Sequence, residues 1–196
     1  TAGQAAARLG GGLAPRDALS FWVGAIREAF EEVGVLLAYE ADGRLLRIAS
    51  EAKPRYEAYR TACQGANPAF FDMLRAEHLT LATDRLAYFA HWITPEEQPL
   101  RFDTRFFAAV MPPGQEPVVD GHEIVDLKWL TPAEAISASR RKDIGLRNPT
   151  IKNLELVAAG GAPASSVVES LGRREVQTIR PRVLQVDGKP LAVLPG

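Results

Sequence analysis

The chain has 196 residues, 46% hydrophobic and 24% charged, with a formal net charge of −1. That size and balance suit a globular domain that buries a core, and the near-neutral charge gives no electrostatic case for nucleic-acid binding. Cys63 is the only cysteine, which excludes an intrachain disulfide and a cysteine metal cluster, and no apolar run approaches the roughly 20 residues of a membrane span.

Thr1 to Ala14 is small and glycine-rich, with Ala5-Ala6-Ala7 and Gly10-Gly11-Gly12. It reads as a linker, extending to Arg16. A phosphate-cradling loop is the other reading, but no strand precedes the glycines and no Lys-Ser/Thr follows them. Pro15-Arg16-Asp17 opens a helix that runs to Val33, with Asp17 as N-cap or first-turn acid. Gly34 stands where a left-handed residue stops it. Val35 to Tyr39 is a short strand or the helix exit, and Ala41-Asp42-Gly43-Arg44 is turn chemistry. Lys53 to Cys63 and Pro68 to His78 are expected as helices. In the second, Phe70 and Phe71 serve the core or line an aromatic pocket. Cys63 fills a helix face, and His78 falls at a helix end.

Leu79 to Thr83 and Arg85 to Thr94 read as strands. In the second, Leu86, Tyr88, Ala90 and Trp92 alternate with Ala87, Phe89, His91 and Ile93. Both sets are largely apolar, which predicts a central strand with His91 as a satisfied core histidine. Phe102 to Met111 is a further strand, and the alternation in Glu123 to Leu130 predicts another. Thr131-Pro132-Ala133-Glu134 has capping-box spacing for a helix ending near the basic run Arg140-Arg141-Lys142. That run is favourable charge at a helix end or a phosphate patch. Helices follow at Asn148 to Ala159 and Ala164 to Leu171. Val176 to Gln185 is strand-like but interrupted by Pro181. Asp187-Gly188 signals a hairpin into Leu191 to Leu194.

Ala25 to Leu37 carries the chemistry. Arg27, Glu28, Glu31 and Glu32 lie at helical spacings that put the carboxylates on one face, opposite Trp22, Ile26, Ala29, Phe30 and Val33. Like charges so placed destabilise a bare helix by about 0.2–0.5 kcal/mol per pair. Oxygen donors on a rigid element suit a hard cation such as Mg²⁺ or Mn²⁺.

Arg27-Glu28-Ala29-Phe30-Glu31-Glu32-Val33-Gly34-Val35 resembles the second half of the Nudix box. Trp129-Leu130-Thr131-Pro132-Ala133-Glu134-Ala135 resembles the strand-to-helix element that follows the sheet in Nudix domains. Ala90-His91-Trp92-Ile93-Thr94-Pro95, Arg101-Phe102-Asp103-Thr104-Arg105-Phe106-Phe107 and the Lys53–His78 insertion are similar to the coenzyme A diphosphatase branch. Leu19 and Leu13 stand where the box has its first Glu and first Gly. The resemblance implies that a long insertion splits the box, with the glycine loop and N-terminal strands upstream of Thr1.

The resemblance implies an α+β fold, a Nudix-like α/β/α sandwich with a mixed sheet. It is a single domain over 1–196 with a helical insertion at 51–78 and a C-terminal extension at 160–196, expected in the cytoplasm. It implies metal-dependent hydrolysis of a diphosphate linkage in coenzyme A or acyl-CoA. The alternatives are ADP-ribose or another nucleoside diphosphate derivative as substrate, or a non-catalytic binding module. Glu31 and Glu32 are then the main ligands of Mg²⁺ or Mn²⁺, Glu28 a ligand or base, and Arg27 the residue that holds Glu31. Glu123 is either a further metal ligand or a solvated strand-start residue. Arg105 and His122 are substrate contacts. The partners are a small-molecule nucleotide and either a second copy of the chain or an N-terminal segment.

Overall fold

The computed structural model describes residues 1–65, 67–119, 121, 124–186 and 189–194. They form an α+β protein that divides into two compact units, Thr1–Leu86 with Ala109–Trp129, and Ala87–Ala108 with Leu130–Gly196.

The first unit opens with α1 (Ala2–Leu9), where a linker was expected. Alanine is the best helix former, and Thr1 and Gln4 close a capping box that satisfies two backbone donors. Ala5 is buried, and α1 packs on α2 (Pro15–Val33). Pro15 takes the first helical position, so Asp17 is a first-turn acid and not the cap. Ala18, Trp22, Ile26 and Phe30, four apart, form the buried stripe of α2. Gly34 ends it in the left-handed region (φ 70°), its N–H donating to Phe30 (2.9 Å) while the Val35 N–H reaches Ala29 (3.2 Å). A side chain at Gly34 would be strained by roughly 1–2 kcal/mol in that conformation.

After Gly34 the chain runs buried through Val35–Ala38 into β1 (Ala38–Tyr39). The helices α3 (Lys53–Gly65) and α4 (Asn67–Ala76) follow. Phe30 meets Phe70 of α4 with ring centroids 6.3 Å apart. Phe70 is fully buried while Phe71 is half exposed, so the pair serves the core through Phe70. Tyr56 and Cys63 of α3 complete the same cluster with Leu36, Leu46 and Met73. Glu77, just past α4, accepts from Tyr59 Oη (3.0 Å) and Arg55 Nη2 (3.0 Å), pinning α3 to the end of α4. The expected Leu79–Thr83 strand shortens to β2 (Thr80–Leu81), antiparallel to β1, and a 3-10 turn at Thr83–Arg85 replaces its end.

Gln115 joins the loop after residue 108 to this core. Its Oε1 accepts from the Leu36 N–H (2.9 Å), and its Nε2 donates to the carbonyls of Leu36 (2.9 Å) and Leu46 (3.0 Å). A buried side-chain amide thus does the work of a neighbouring strand. The strand expected over Glu123–Leu130 is absent from its described part, residues 124–130. Of the apolar residues read as alternating, Leu127 and Trp129 are exposed there instead, Trp129 at 73%. Alternation marks a strand only where a partner ladder exists.

In the second unit β3 (Ala87–Ile93) is central, as its two apolar faces predicted, between antiparallel β4 (Asp103–Ala108) and parallel β5 (Thr178–Ile179). The expected alternation fails at a bulge between Tyr88 and Ala90. The extra residue brings Phe89 and Ala90 into one cluster with Ala87 and Trp92, packed against Val167 and Leu171. Those two come from α7 (Ala164–Arg173), so residues beyond 160 build this core. The capping box of α5 (Pro132–Arg140) forms as read, and its basic end is a helix terminus where Arg141 pairs with Asp143 at 2.9 Å. In α6 (Asn148–Ala159), Asn153 accepts from Trp92 Nε1 (3.1 Å). Pro181 splits the expected Val176–Gln185 strand into β5 and β6 (Arg182–Val186), and β6 pairs with β7 (Lys189–Val193). Asp187 and Gly188 lie outside the described residues. No helix among the described residues is long and apolar enough to cross a membrane.

Gln115→Ala strands one buried donor and two acceptors, so unfolding free energy is expected to fall by about 2–4 kcal/mol. Urea denaturation of the two proteins measures it, and an unchanged midpoint would refute the bridging role.

Candidate active site

The acidic face of α2 is built by the burial of its other face. With Trp22, Ile26 and Phe30 turned into the core, Arg27, Glu28, Glu31 and Glu32 emerge on the far side. Arg27 Nη2 donates to Glu28 Oε1 at 2.6 Å, and Arg27 Nε stands 3.5 Å from Glu31 Oε1, one turn on. The bond to Glu28, with the charge of Glu31 behind it, raises the Arg27 pKa further above its ordinary value. Glu28 is half exposed and Glu31 mostly enclosed, at 51% and 17% side-chain accessibility. One arginine thus holds two of the three carboxylates, the enclosed one by a contact in the expected (i, i+4) register.

The last turn of α2 ends against a buried cation. Arg60 of α3 is 2% exposed. Its Nε donates to the Glu31 carbonyl at 3.0 Å and its Nη2 to the Glu32 carbonyl at 2.6 Å. Gln64 Nε2 adds a bond to the Glu31 carbonyl at 3.1 Å. These carbonyls have no partner within their own helix and carry the negative end of its dipole. The guanidinium satisfies both needs and fixes the backbone on which Glu31 and Glu32 are mounted. Glu57, one turn earlier on α3, lies 3.7 Å from Arg60 Nη1 and shares its charge. Cys63, three residues after Arg60, is buried. Burial, followed by the Glu31 charge, pushes its thiol up to about 11, and the nearby Arg27 works the other way. The thiol is therefore neutral filler and no nucleophile at neutral pH.

The side chains of Arg60 and Gln64 were not singled out from the sequence. The signal was present in part: Tyr56, Arg60 and Cys63 share one helical stripe, and a cation on an otherwise buried stripe requires acceptors. Nothing local pointed to helix-end carbonyls as those acceptors, nor to Gln115 as the clamp on Leu36.

Of the other residues read as functional, His122 and Glu123 lie outside the described residues. Arg105 belongs to the second unit, on β4, where its Nη1 donates to Asp103 Oδ1 at 2.9 Å and its side chain is 11% exposed. His91 on β3 is satisfied at both ring nitrogens. A carboxylate only accepts, so Nε2 donates to Asp103 Oδ1 (2.5 Å), and Nδ1 lies within hydrogen-bond distance of Thr178 Oγ1 (2.8 Å). The histidine therefore ties β3 to both neighbouring strands.

Among the described residues no three His, Cys, Asp or Glu side chains converge closely enough to hold a metal ion. In donor chemistry the α2 set does fit a hard divalent cation. All three side chains are carboxylates on one face of a helix fixed at its end, and Glu28 is half exposed.

The chain resembles known proteins along most of its length. Residues 5–157 match the family model for the NUDT19 Nudix domain. Among relatives, the acyl-coenzyme A diphosphatase NUDT19 of Xenopus laevis is 26% identical over 187 residues, covering 88% of this chain and 48% of its own length. The human acyl-coenzyme A diphosphatase NUDT19 is 34% identical over 160 residues, covering 75% and 41%. The chain thus spans less than half the length of these curated relatives. A crystal structure of a Nudix hydrolase from Alicyclobacillus acidocaldarius superposes with a TM-score of 0.64 at 26% identity, over 77% of this chain and 66% of that one. The half-box on α2, the capped helix beginning at Pro132 and the family match over residues 5–157 together place the chain in the Nudix superfamily, as a member of the NUDT19 Nudix domain family.

Proposed function

We propose that this chain supplies the catalytic helix of a diphosphatase that cleaves coenzyme A or an acyl-CoA in the presence of Mg²⁺ or Mn²⁺. The observation that carries the reading is the acidic face of α2, three carboxylates on a helix whose end is locked by Arg60, in a member of this family. The relatives named above are acyl-coenzyme A diphosphatases, and hydrolases of the family generally use divalent metals.

In this reading water adds its oxygen to one phosphorus while the bond from that phosphorus to the bridging oxygen breaks. The bridging oxygen leaves with the other phosphate, and the water's protons pass to solvent through a base. The products are adenosine 3′,5′-bisphosphate and phosphopantetheine, acylated when the substrate is. Glu31 and Glu32 would hold the cation, and Glu28 would be a third ligand or the base that orients the water. A bound divalent ion neutralises charge on the phosphate oxygens and acidifies a bound water. Arg27 limits the rotamers of Glu31, and Arg60 fixes the backbone beneath both glutamates. Glu123 is proposed as a further carboxylate ligand.

The test is incubation of the full-length protein with CoA and, separately, ADP-ribose, with Mg²⁺ or Mn²⁺ and phosphorus products resolved. Release of adenosine 3′,5′-bisphosphate from CoA is expected, and no cleavage of CoA sinks the reading. The Glu31→Gln, Glu32→Gln double variant should lose at least about a hundredfold in kcat with its melting temperature nearly unchanged. Turnover within a few-fold of the parent would refute the ligand assignment. Arg60→Met leaves two helix-end carbonyls without their charged donor, at about 1–3 kcal/mol of stability. It should also lower kcat by about 10–100-fold while KM for CoA holds. Lost stability with full kcat would reduce Arg60 to a purely structural part.

A further inference from the structure

The second unit carries a feature that the α2 chemistry does not use. Pro181 interrupts what would otherwise be one strand, and it stands between two arginines, Arg180 and Arg182. Both line an open cavity of about 830 Å³ together with Arg101, Thr178, Leu184 and Leu194. Arg101 is partly engaged, with Glu96 3.9 Å away and its Nε donating to the Thr94 carbonyl at 3.3 Å. Glu96 and Glu97 also line the cavity, so three cations face two anions. Neither Arg180 nor Arg182, however, makes an ion pair with an acid among the described residues.

A second cavity, of about 600 Å³, opens on the same strap. The two share Thr94, Pro95 and Pro181. Its lining is mainly apolar, from Trp92, Leu100, Phe102, Phe106, Pro149 and Val183. Leu100 and Phe102 are 67% and 52% exposed, an expensive way to leave two large apolar side chains in water. The Trp92 floor is fixed by its bond to Asn153. Arg147, at the mouth formed by the start of α6, has no ion-pair partner among the described residues either.

An arginine-lined chamber and an apolar chamber that meet along one wall match a ligand with the same division. We propose that this strap binds an amphipathic anion, a phosphate or carboxylate joined to an apolar chain, with the head between Arg180 and Arg182 and the chain along Leu100 and Phe102. Arginine suits either head, because its planar fork pairs in bidentate fashion with both carboxylate and phosphate. The apolar chain supplies most of the affinity and the arginines fix its direction. The assignment uses only residues of the second unit and stands whether or not α2 hydrolyses CoA.

The experiment is equilibrium binding by calorimetry with EDTA present, so that no turnover enters. The probes are dodecanoate, dodecyl phosphate, CoA, dodecanol and inorganic phosphate. At least one of the two chain-bearing anions should bind at least about tenfold tighter than CoA, dodecanol or phosphate. Tight binding of dodecanoate shows that a carboxylate head suffices, and tight binding of dodecyl phosphate alone shows that phosphate is required. Arg180→Ala with Arg182→Ala, and separately Leu100→Ser with Phe102→Ser, should each weaken that binding by about tenfold or more. All four residues are exposed, so melting temperatures should hold. Failure of both anions to bind, affinity for CoA or phosphate equal to that for the chain-bearing anions, or indifference to either pair of substitutions overturns the proposal.

Discussion

The interaction on which the first unit depends is the guanidinium of Arg60 against the carbonyls of Glu31 and Glu32. It links three levels of the structure. Locally it supplies donors to a helix end that lacks them. In packing, it fastens α3 to α2 through a side chain that is itself inside, where an unpaired charge would be costly. At the acidic face it removes backbone freedom from the residues whose side chains must be placed. Gly34 belongs to the same device: its left-handed turn lets the chain leave α2 beside Arg60, whose Nη1 would lie 3.6 Å from any Cβ built there.

Helices were the most legible part of the sequence, because their periodicity and stop signals are local. The α2 boundaries, the pair α3 and α4, and the Thr131–Glu134 capping box follow from residues within a turn of one another. What depended on partners far along the chain was less visible. Residues 124–130 alternate like a strand and form none, whereas Leu36 finds its hydrogen bonds in a glutamine 79 residues away. The bulge in β3 is a case of the same kind. Alternation assigned Phe89 and Ala90 to opposite faces, and the register with β4 puts both in one cluster. At the acidic face, Arg27 and the glutamates could be grouped by helical spacing alone. Arg60 could not be added to them, because its acceptors are backbone atoms that any sequence possesses.

The charges of α2 run against the preferences of a helix. Cations favour the last turn, yet α2 has no basic residue there and ends Glu31-Glu32-Val33. Two acids against the negative end of the dipole cost about 0.3–1 kcal/mol each at an exposed site. The Glu28–Glu31 and Glu28–Glu32 pairs add about 0.2–0.5 kcal/mol each. The (i, i+4) contact of Arg27 with Glu31 returns no more than about 0.3–0.5 kcal/mol. The larger compensation comes from Arg60, since hydrogen bonds to a charged donor contribute about 1.5–3 kcal/mol. A stable end to α2 could be had more simply, with lysine or arginine in the last turn and no buried guanidinium from another helix. The arrangement seen here keeps the carboxylates where they are unfavourable and brings the cation in underneath, on the backbone, leaving the outer face acidic. Stability does not call for that division. On the proposed reading it serves the site: a guanidinium bonded to backbone carbonyls steadies Glu31 and Glu32 from beneath, and an incoming cation has only to displace Arg27 from Glu28 and Glu31 on the outer face.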